Sequence, residues 1–275
     1  MRHGVFLPAF NELSDPGRVI SLAVRAEEQG WDGFFLWDHV LRRPEQAAEV
    51  ADPWIILAGI AAATTRLRLG TMVTPIVRRR PHVLARQVVT LDHLSSGRVI
   101  LGLGLGVDST GELSRFGEVV DAVERGAALD EGAELLARFM AGEHVEHRGR
   151  HFTADGVRLL PRPLQRPRVP MWFGAQGGRT RSPDRQGPPA RPVIRAAAYD
   201  GLFLIDAGRT ELARAVEMIV QHRGSIDGFD IAVLSTAELP PAEAAALGAT
   251  WAMLSIRPEM SLEDVRSLVE AGPPS

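Results

Sequence analysis

Short apolar runs alternate with longer amphipathic segments along most of the chain. Near-continuous hydrophobicity of this kind is typical of parallel strands that are buried on both faces. Eight such runs are present, at residues 5–7, 33–37, 67–73, 99–105, 171–173, 202–205, 231–234 and 251–254. Nearly all of them are separated by segments with the apolar repeat of a helix. The pattern predicts an α/β protein with parallel strands.

Several predicted helices carry signals at their ends. Asp15-Pro16 and Asp52-Pro53 each place a capping carboxylate before a proline at the first helical position, and Gly30 follows the first helix. Further helices are predicted from Pro81, over about 129–141 and 211–223, before Gly248, and after a capping pair of Ser261 and Asp264.

Eight βα units in 275 residues favour a closed (β/α)₈ TIM barrel over an open doubly wound sheet, the alternative fold. We expect a single domain over residues 1–275. Insertions are expected after the fourth and fifth predicted strands, with an excursion at 108–125, a hairpin within 143–169 and a surface loop at 177–192.

Composition excludes several classes of function. The formal net charge of -3 and the lack of a basic stripe argue against a nucleic-acid partner. The chain has no cysteine, which excludes disulfides, thiolate metal sites and cysteine nucleophiles. No apolar run approaches the roughly 20 residues of a membrane span, and residues 1–4 lack signal-peptide features. These observations predict a cytoplasmic protein without a membrane partner.

In a TIM barrel the active site lies at the carboxyl ends of the strands, which directs attention to Asp38-His39 after the second strand. Histidine titrates near neutrality and can transfer a proton, while a neighbouring carboxylate can orient it. The alternative interpretation is structural, with Asp38 capping a turn and His39 packing in a loop.

Three glycines alternate along the fourth predicted strand, at positions 102, 104 and 106. They lack the G-x-G-x-x-G spacing of a dinucleotide site. One interpretation is that they leave space for a planar ring against the backbone, and the other is that they relieve packing within the barrel.

Two clusters of basic side chains can be interpreted either as solvent-exposed surface groups or as functional groups. Arg78-Arg79-Arg80 reads as a solvated rim, although it could meet a phosphate. His144, His147 and His151 suggest a metal site, but no carboxylate at matching spacing accompanies them, which favours surface histidines and no metal.

The motifs as a set resemble the luciferase-like monooxygenase superfamily, whose members are flavin- and F420-dependent oxidoreductases. The resemblance covers almost the whole chain and is carried by residues 26–32, 38–39, 52–54, 68–75, 80–81, 91–98, 101–104, 130–132, 161–167 and 197–201. The Leu-x-x-Leu-Ser-x-Gly-Arg segment at 91–98 is particularly specific.

This resemblance implies a TIM barrel that binds F420, or alternatively FMN, at its mouth. Asp38 and His39 would lie beside the deazaflavin as the catalytic pair, and a non-proline cis peptide is expected at Met72-Val73. The cofactor contacts are expected from Thr71, Met72, Val73, Gly104, Gly106, Gly174, Ala175, Gln176 and Gly177.

The chain departs from the family pattern at two places. Sugar-phosphate dehydrogenases of this family carry a glutamate just after the glycines, where this chain has Val107 followed by Asp108. The short loop after the fifth strand is replaced by the arginine-rich stretch at 177–192. We expect Arg179 and Arg181 to contact a cofactor phosphate and the stretch to order on cofactor binding, unless it is only a surface insertion.

Three functions follow from the resemblance. The leading hypothesis is F420-dependent hydride transfer to or from a small organic substrate, because Asp38-His39 is the deazaflavin-side pattern. The second is an FMN-dependent monooxygenase served by a separate flavin reductase. The third is a flavin-binding barrel without turnover. A homodimer is left open.

Overall fold

The computed structural model describes residues 1–42, 45, 48–177 and 190–274. Its strands are β1 (Arg2–Leu7), β2 (Gly33–Leu36), β3 (Arg68–Thr71), β4 (Thr74–Pro75), β5 (Leu101–Gly104), β6 (His144–Arg148), β7 (Thr153–Arg158), β8 (Met171–Gln176), β9 (Gly201–Ile205), β10 (Asp230–Leu234) and β11 (Trp251–Ser255). Its helices are α1 (Pro16–Glu28), α2 (Pro53–Ala63), α3 (Pro81–Leu94), α4 (Ala122–Ala141), α5 (Ala190–Ala197), α6 (Arg209–Arg223), α7 (Pro241–Ala246) and α8 (Leu262–Glu270).

Nine of the strands form one parallel sheet in the order β3-β2-β1-β11-β10-β9-β8-β5-β4. β3 and β4 share one position of the barrel, because β3 pairs with β2 while β4 pairs with β5. The sheet closes where Leu69 bridges Val99 and the Ile100 N–H donates to the Leu69 carbonyl at 2.9 Å. The predicted TIM barrel is therefore confirmed.

The excursions from the barrel differ in part from the sequence prediction. β6 and β7 form the expected antiparallel hairpin. Helix α4 begins at Ala122 rather than near Leu129, because the Asp121 carboxylate caps it by accepting from the N–H groups of Val123 and Glu124. The start of α5 at Ala190 shortens the loop predicted over 177–192.

Side chains fill the barrel interior as well as the layer between sheet and helices. The inner cluster contains Phe6, Phe35, Met72, Ile100, Trp172, Phe203, Ala232, Trp251 and Met253. Val73, Ile205 and Leu234, each partly buried, pack against it. Within the described ranges, no helix combines the length and apolarity needed to span a membrane.

Arg98, the last residue of the 91–98 motif, ties three segments together beneath the barrel. Its Nη1 donates to the Thr64 hydroxyl and the Leu67 carbonyl, both at 2.9 Å. Its Nη2 donates to the carbonyls of Ala61 and Thr64 at 2.8 Å, and its Nε donates to the Ser95 carbonyl at 2.6 Å. Because Arg98 is only 8% exposed, these five bonds replace the water that the guanidinium loses on burial.

We expect Arg98→Lys to lower the free energy of unfolding by about 2–4 kcal/mol, because one ammonium cannot reach five separate acceptors. Urea unfolding measures this change. Arg158→Lys, at an exposed position of β7, is the matched control and should leave stability almost unchanged. Equal stabilities of the two variants would show that the five hydrogen bonds of Arg98 do not stabilise the fold.

Candidate active site at the mouth of the barrel

Asp38, directly beyond β2, has the most hydrogen bonds of the described side chains at the carboxyl end of the barrel. Its carboxylate is fully buried and forms ion pairs with Arg78, whose Nη2 lies 3.2 Å from Oδ1, and with Arg79, whose Nη2 lies 2.9 Å from Oδ2. Thr74 Oγ1 donates to Oδ2 at 2.8 Å, and Trp54 Nε1 donates to the same oxygen at 3.3 Å. With both oxygens occupied, Asp38 is placed to hold the loop rather than to exchange protons with a ligand.

The two threonines before and after the Met72-Val73 bond form a short chain of hydroxyls that ends at Asp38. The single hydroxyl proton of Thr74 goes to Asp38, so Thr71 must be the donor in the 2.8 Å contact with Thr74 Oγ1. Thr71 is itself fully buried. Its hydroxyl proton is therefore committed inside the protein.

The arginines after β4 are not the solvated rim that the sequence suggested, except for the exposed Arg80. Arg78 also donates to the Asp38 carbonyl at 2.5 Å, and its side chain is 8% exposed. Arg79 lies 5.8 Å from the Trp54 ring centre. The sequence could not show this, because a run of three arginines gives no hint of a buried carboxylate forty residues earlier.

His39 faces a second carboxylate, which belongs to Glu112. The distance from His39 Nδ1 to Glu112 Oε2 is 2.7 Å, and Oε1 accepts the N–H groups of Val40 and Leu41 at 2.7 and 3.1 Å. An ionised carboxylate only accepts hydrogen bonds, so Nδ1 carries the proton and Nε2 of neutral His39 has a free lone pair. This is the tautomer that a proton acceptor needs.

Glu112 is 3% exposed, and its environment fixes its charge. Burial by itself would raise the pKa of its carboxyl, but hydrogen bonds from His39 and from the backbone of Val40 and Leu41 hold that pKa below its usual value. Glu112 is therefore ionised at neutral pH.

Sequence reasoning missed Glu112, because it concentrated on the position just after the glycines. Val107, at that position, is exposed, and Asp108 accepts the N–H groups of Leu113 and Ser114. Glu112 could have been suspected from the sequence, because it stands beside the apolar Leu113 in a loop that follows a barrel strand.

The glycines of β5 make room for protein atoms rather than for open space. A Cβ on Gly104 would lie 2.3 Å from a methyl of Val73, and one on Gly102 would lie 2.2 Å from the Thr71 carbonyl oxygen. Gly174 also faces Val73, at 3.0 Å. The packing interpretation of these glycines therefore holds for the described side chains, and Val73 forms the surface above them.

The remaining predicted contacts lie around this surface. The Met72-Val73 peptide is cis, as expected. Gly106 has a φ of 71° and faces Pro75. Residues 174–176 belong to β8, where Ala175 is buried and Gln176 exposed, and the Gly177 N–H donates to the Ile205 carbonyl at 2.6 Å. Arg179 and Arg181 lie outside the described residues.

Arg125, in the first turn of α4, brings a guanidinium to the end of β5. Its Nη1 donates to the carbonyls of Leu105 and Gly106 at 3.3 and 2.9 Å. The residue is 9% exposed, and its buried Nε has no partner among the described residues. A buried cation with an unfilled donor is a group that an anionic ligand could complete.

The histidines of the hairpin differ from the prediction in one respect. Glu131 of α4 accepts from His147 at 3.0 Å and from the backbone of His151 and Phe152. Burial favours a higher pKa for Glu131, but these bonds hold it below the usual value. A carboxylate partner therefore exists, and in the described part of the chain no set of three or more potential ligands could hold a metal.

The fold and this polar cluster define a (β/α)₈-barrel protein with its candidate site at the carboxyl ends of the strands. The sequence model for the luciferase-like monooxygenase family matches residues 1–183. The chain therefore belongs to that family.

Curated relatives match about three fifths of the chain. It is 35% identical over 169 residues to the F420-dependent glucose-6-phosphate dehydrogenase of Nakamurella multipartita, an alignment that covers 60% of this chain and 48% of that protein. The corresponding enzyme of Kineococcus radiotolerans is 35% identical over 176 residues, with 62% and 51% covered. The chain spans about half the length of the curated relatives it matches.

Two solved structures match over nearly the full length of the chain. Monooxygenase RslO1 from Streptomyces bottropensis has a TM-score of 0.77 at 22% identity, with 98% of this chain and 96% of that chain covered. Coenzyme F420-dependent tetrahydromethanopterin reductase from Methanopyrus kandleri has a TM-score of 0.75 at 18% identity, with 98% and 97% covered. At these identities the likeness establishes the fold.

We expect Asp38→Asn to lower the free energy of unfolding by about 3–5 kcal/mol, because Arg78 and Arg79 would lose their buried counter-charge. Thermal and urea unfolding measure the change. Asp155→Asn, on the exposed face of β7, is the matched control. A loss below about 1 kcal/mol would mean that water or another group replaces Asp38 at little cost.

Proposed function

We propose that the protein is an F420-dependent oxidoreductase that transfers a hydride to or from a small organic substrate. The observation that carries the proposal is the pairing of His39 with the buried, ionised Glu112 at the mouth of the barrel. The relatives named as F420-dependent enzymes support the choice of cofactor.

The mouth fits a cofactor of this kind on two grounds. Arg125 offers a buried, incompletely satisfied cation, which suits the phosphate of F420 or FMN. Val73 offers an apolar surface that the glycines at 104 and 174 allow to lie close to the strands. The residues proposed to face the cofactor are Val73, Gly106, Arg125, Gly174 and Gln176, and the buried Thr71, Met72, Gly104, Ala175 and Gly177 are proposed to shape the strand ends beneath it. When bound, F420 supplies a carbon centre that accepts or donates a hydride.

His39 is proposed as the proton carrier. Glu112 keeps its Nδ1 protonated and stabilises the imidazolium that forms when Nε2 takes a proton, which is the role of the carboxylate in a serine-protease triad. Asp38 acts through position, because its bonds to Arg78 and Arg79 fix the loop that carries His39.

The substrate is a separate question. The relatives' glucose 6-phosphate is one candidate, since Glu112 of the loop after the glycines supplies a carboxylate to the mouth although Val107 stands directly after the glycines. An FMN-dependent monooxygenase with a separate flavin reductase is the second candidate function, and the likeness to RslO1 favours it. A barrel without turnover accounts poorly for the His39–Glu112 pair, since burying a loop carboxylate is costly.

Partner and location are proposals as well. Helix α2 contains no charged residue, and Ile55 in its first turn is 70% exposed. A helix that is apolar on all sides is normally covered, so we propose that a second copy of the chain covers it, which a measurement of molar mass in solution tests. A cytoplasmic location stays a prediction from the sequence.

Titration of the purified protein with F420 and with FMN tests the cofactor. We expect F420 to bind more tightly, and we expect Arg125→Gln to weaken its binding roughly 10- to 150-fold, the equivalent of about 1.5–3 kcal/mol for a charged hydrogen bond. Quenching of F420 fluorescence gives the dissociation constant. Arg115→Gln, exposed on the preceding segment, is the control. Micromolar FMN binding without F420 binding would favour the monooxygenase.

The protonation state of His39 gives a test that needs no substrate. We expect ¹⁵N NMR at neutral pH to show the Nδ1–H tautomer, and Glu112→Gln to abolish that preference because an amide can also donate. Glu118→Gln is the control on the same loop. An Nε2–H tautomer in the unmodified protein would refute the assigned role.

We also expect His39→Ala to slow turnover roughly 10²–10⁴-fold while the protein stays folded.

A further inference from the structure

Two aromatic side chains, Phe10 and Trp37, lie against the ring of His39, and Phe6 packs against Trp37; we call Phe6, Phe10 and Trp37 the aromatic wall. The ring centres of Phe10 and Trp37 lie 5.5 and 5.8 Å from that of His39. Phe10 and Trp37 are 6.1 Å apart, and Phe6 lies 5.3 Å from Trp37. The phenylalanines are buried and Trp37 is partly exposed, so Trp37 presents the wall to a ligand.

The neighbouring strands continue this apolar surface. Ile205 at the end of β9 and Leu234 at the end of β10 are partly buried and pack against the same inner cluster as Trp37. Four strand ends around the mouth, counting Val73 after β3, therefore present mostly apolar atoms, together with the buried Trp37 Nε1–H, which has no partner among the described residues. A ligand that reaches His39 from this side exchanges water for carbon contacts, which favours an apolar body.

The charges near His39 also favour an uncharged ligand. Glu112 places a negative charge 2.7 Å from Nδ1, which disfavours an anionic group nearby. Arg78 and Arg79 already pair with Asp38, which offsets part of their charge, and the one Arg78 nitrogen without a partner among the described residues, Nη1, is buried. Arg42 lies 5.6 Å from the centre of the Phe10 ring and 3.6 Å from Glu259. These three guanidinium groups already face carboxylates.

We infer that the aromatic wall selects an uncharged alcohol with an apolar body, or the matching carbonyl compound, rather than a sugar phosphate. The inference rests on the proposed function. In the oxidising direction the hydroxyl O–H breaks and its proton passes to His39 Nε2. The carbon-bound hydrogen leaves with its electron pair to oxidised F420, and the C=O bond forms. Trp37 is the specificity-determining residue, because it borders the reacting group without exchanging protons.

The first experiment needs no cofactor. Saturation-transfer NMR on the cofactor-free protein compares cyclohexanol with glucose 6-phosphate. We expect a signal from cyclohexanol that Trp37→Ala removes and Trp37→Phe retains. Trp251→Phe, at the opposite end of the barrel, should leave the signal unchanged. A signal from glucose 6-phosphate alone, or one from cyclohexanol that is indifferent to Trp37, would overturn the inference.

The second experiment uses protein loaded with F420, whose binding is first established by fluorescence quenching. We expect kcat/KM for cyclohexanol to exceed that for glucose 6-phosphate, and Trp37→Ala to lower it about tenfold through lost apolar contact while shifting preference towards bulkier alcohols. Turnover of glucose 6-phosphate in preference to every neutral alcohol contradicts the inference and leaves F420 dependence standing. Absence of F420 binding refutes the proposed function instead. The NMR result then still shows whether the aromatic wall binds an uncharged alcohol in preference to a sugar phosphate.

Discussion

The arrangement of the mouth depends on one buried carboxylate, that of Asp38. It joins the end of β2 to the first turn of α2 through Trp54, to β4 through Thr74, and to the segment after β4 through two arginines. Burying a carboxylate costs several kcal/mol unless it is fully bonded. Each of these segments is therefore held in place, because displacing any one of them would leave a charge or a donor without its partner inside the protein.

A consequence of this constraint is that His39 is presented on a fixed loop with a second buried charge behind it. Asp38 faces two guanidinium groups on one side of the loop, and Glu112 accepts three hydrogen bonds from residues 39–41 on the other side. The net positive charge of the first cluster and the negative charge of the second offset each other across a few residues. The Nδ1 edge of His39 faces Glu112, and the ring lies beside Phe10 and Trp37, whose apolar atoms lower the local dielectric and so strengthen its hydrogen bonds.

The sequence pattern predicted most of the architecture, because strand hydrophobicity and helix caps are local signals. The capping roles of Asp15, Asp52 and Ser261 are confirmed. It missed the first turns of α4, whose cap at Asp121 lies in a segment without apolar periodicity. It also misjudged Arg78 and Arg79, since whether an arginine is solvated depends on what lies opposite it in the fold.

For this protein the sequence by itself determined the barrel, the strand ends at which a site could form, and the family to which the chain belongs. Position after a strand marked Asp38 and His39 as candidates, but it could not assign different roles to adjacent residues. Only the tertiary structure separated them, because Asp38 points into the protein towards arginines forty residues away, and His39 meets Glu112 from a loop more than seventy residues away. Contacts at that separation arise from barrel closure, which brings the ends of β2, β4 and β5 to one rim.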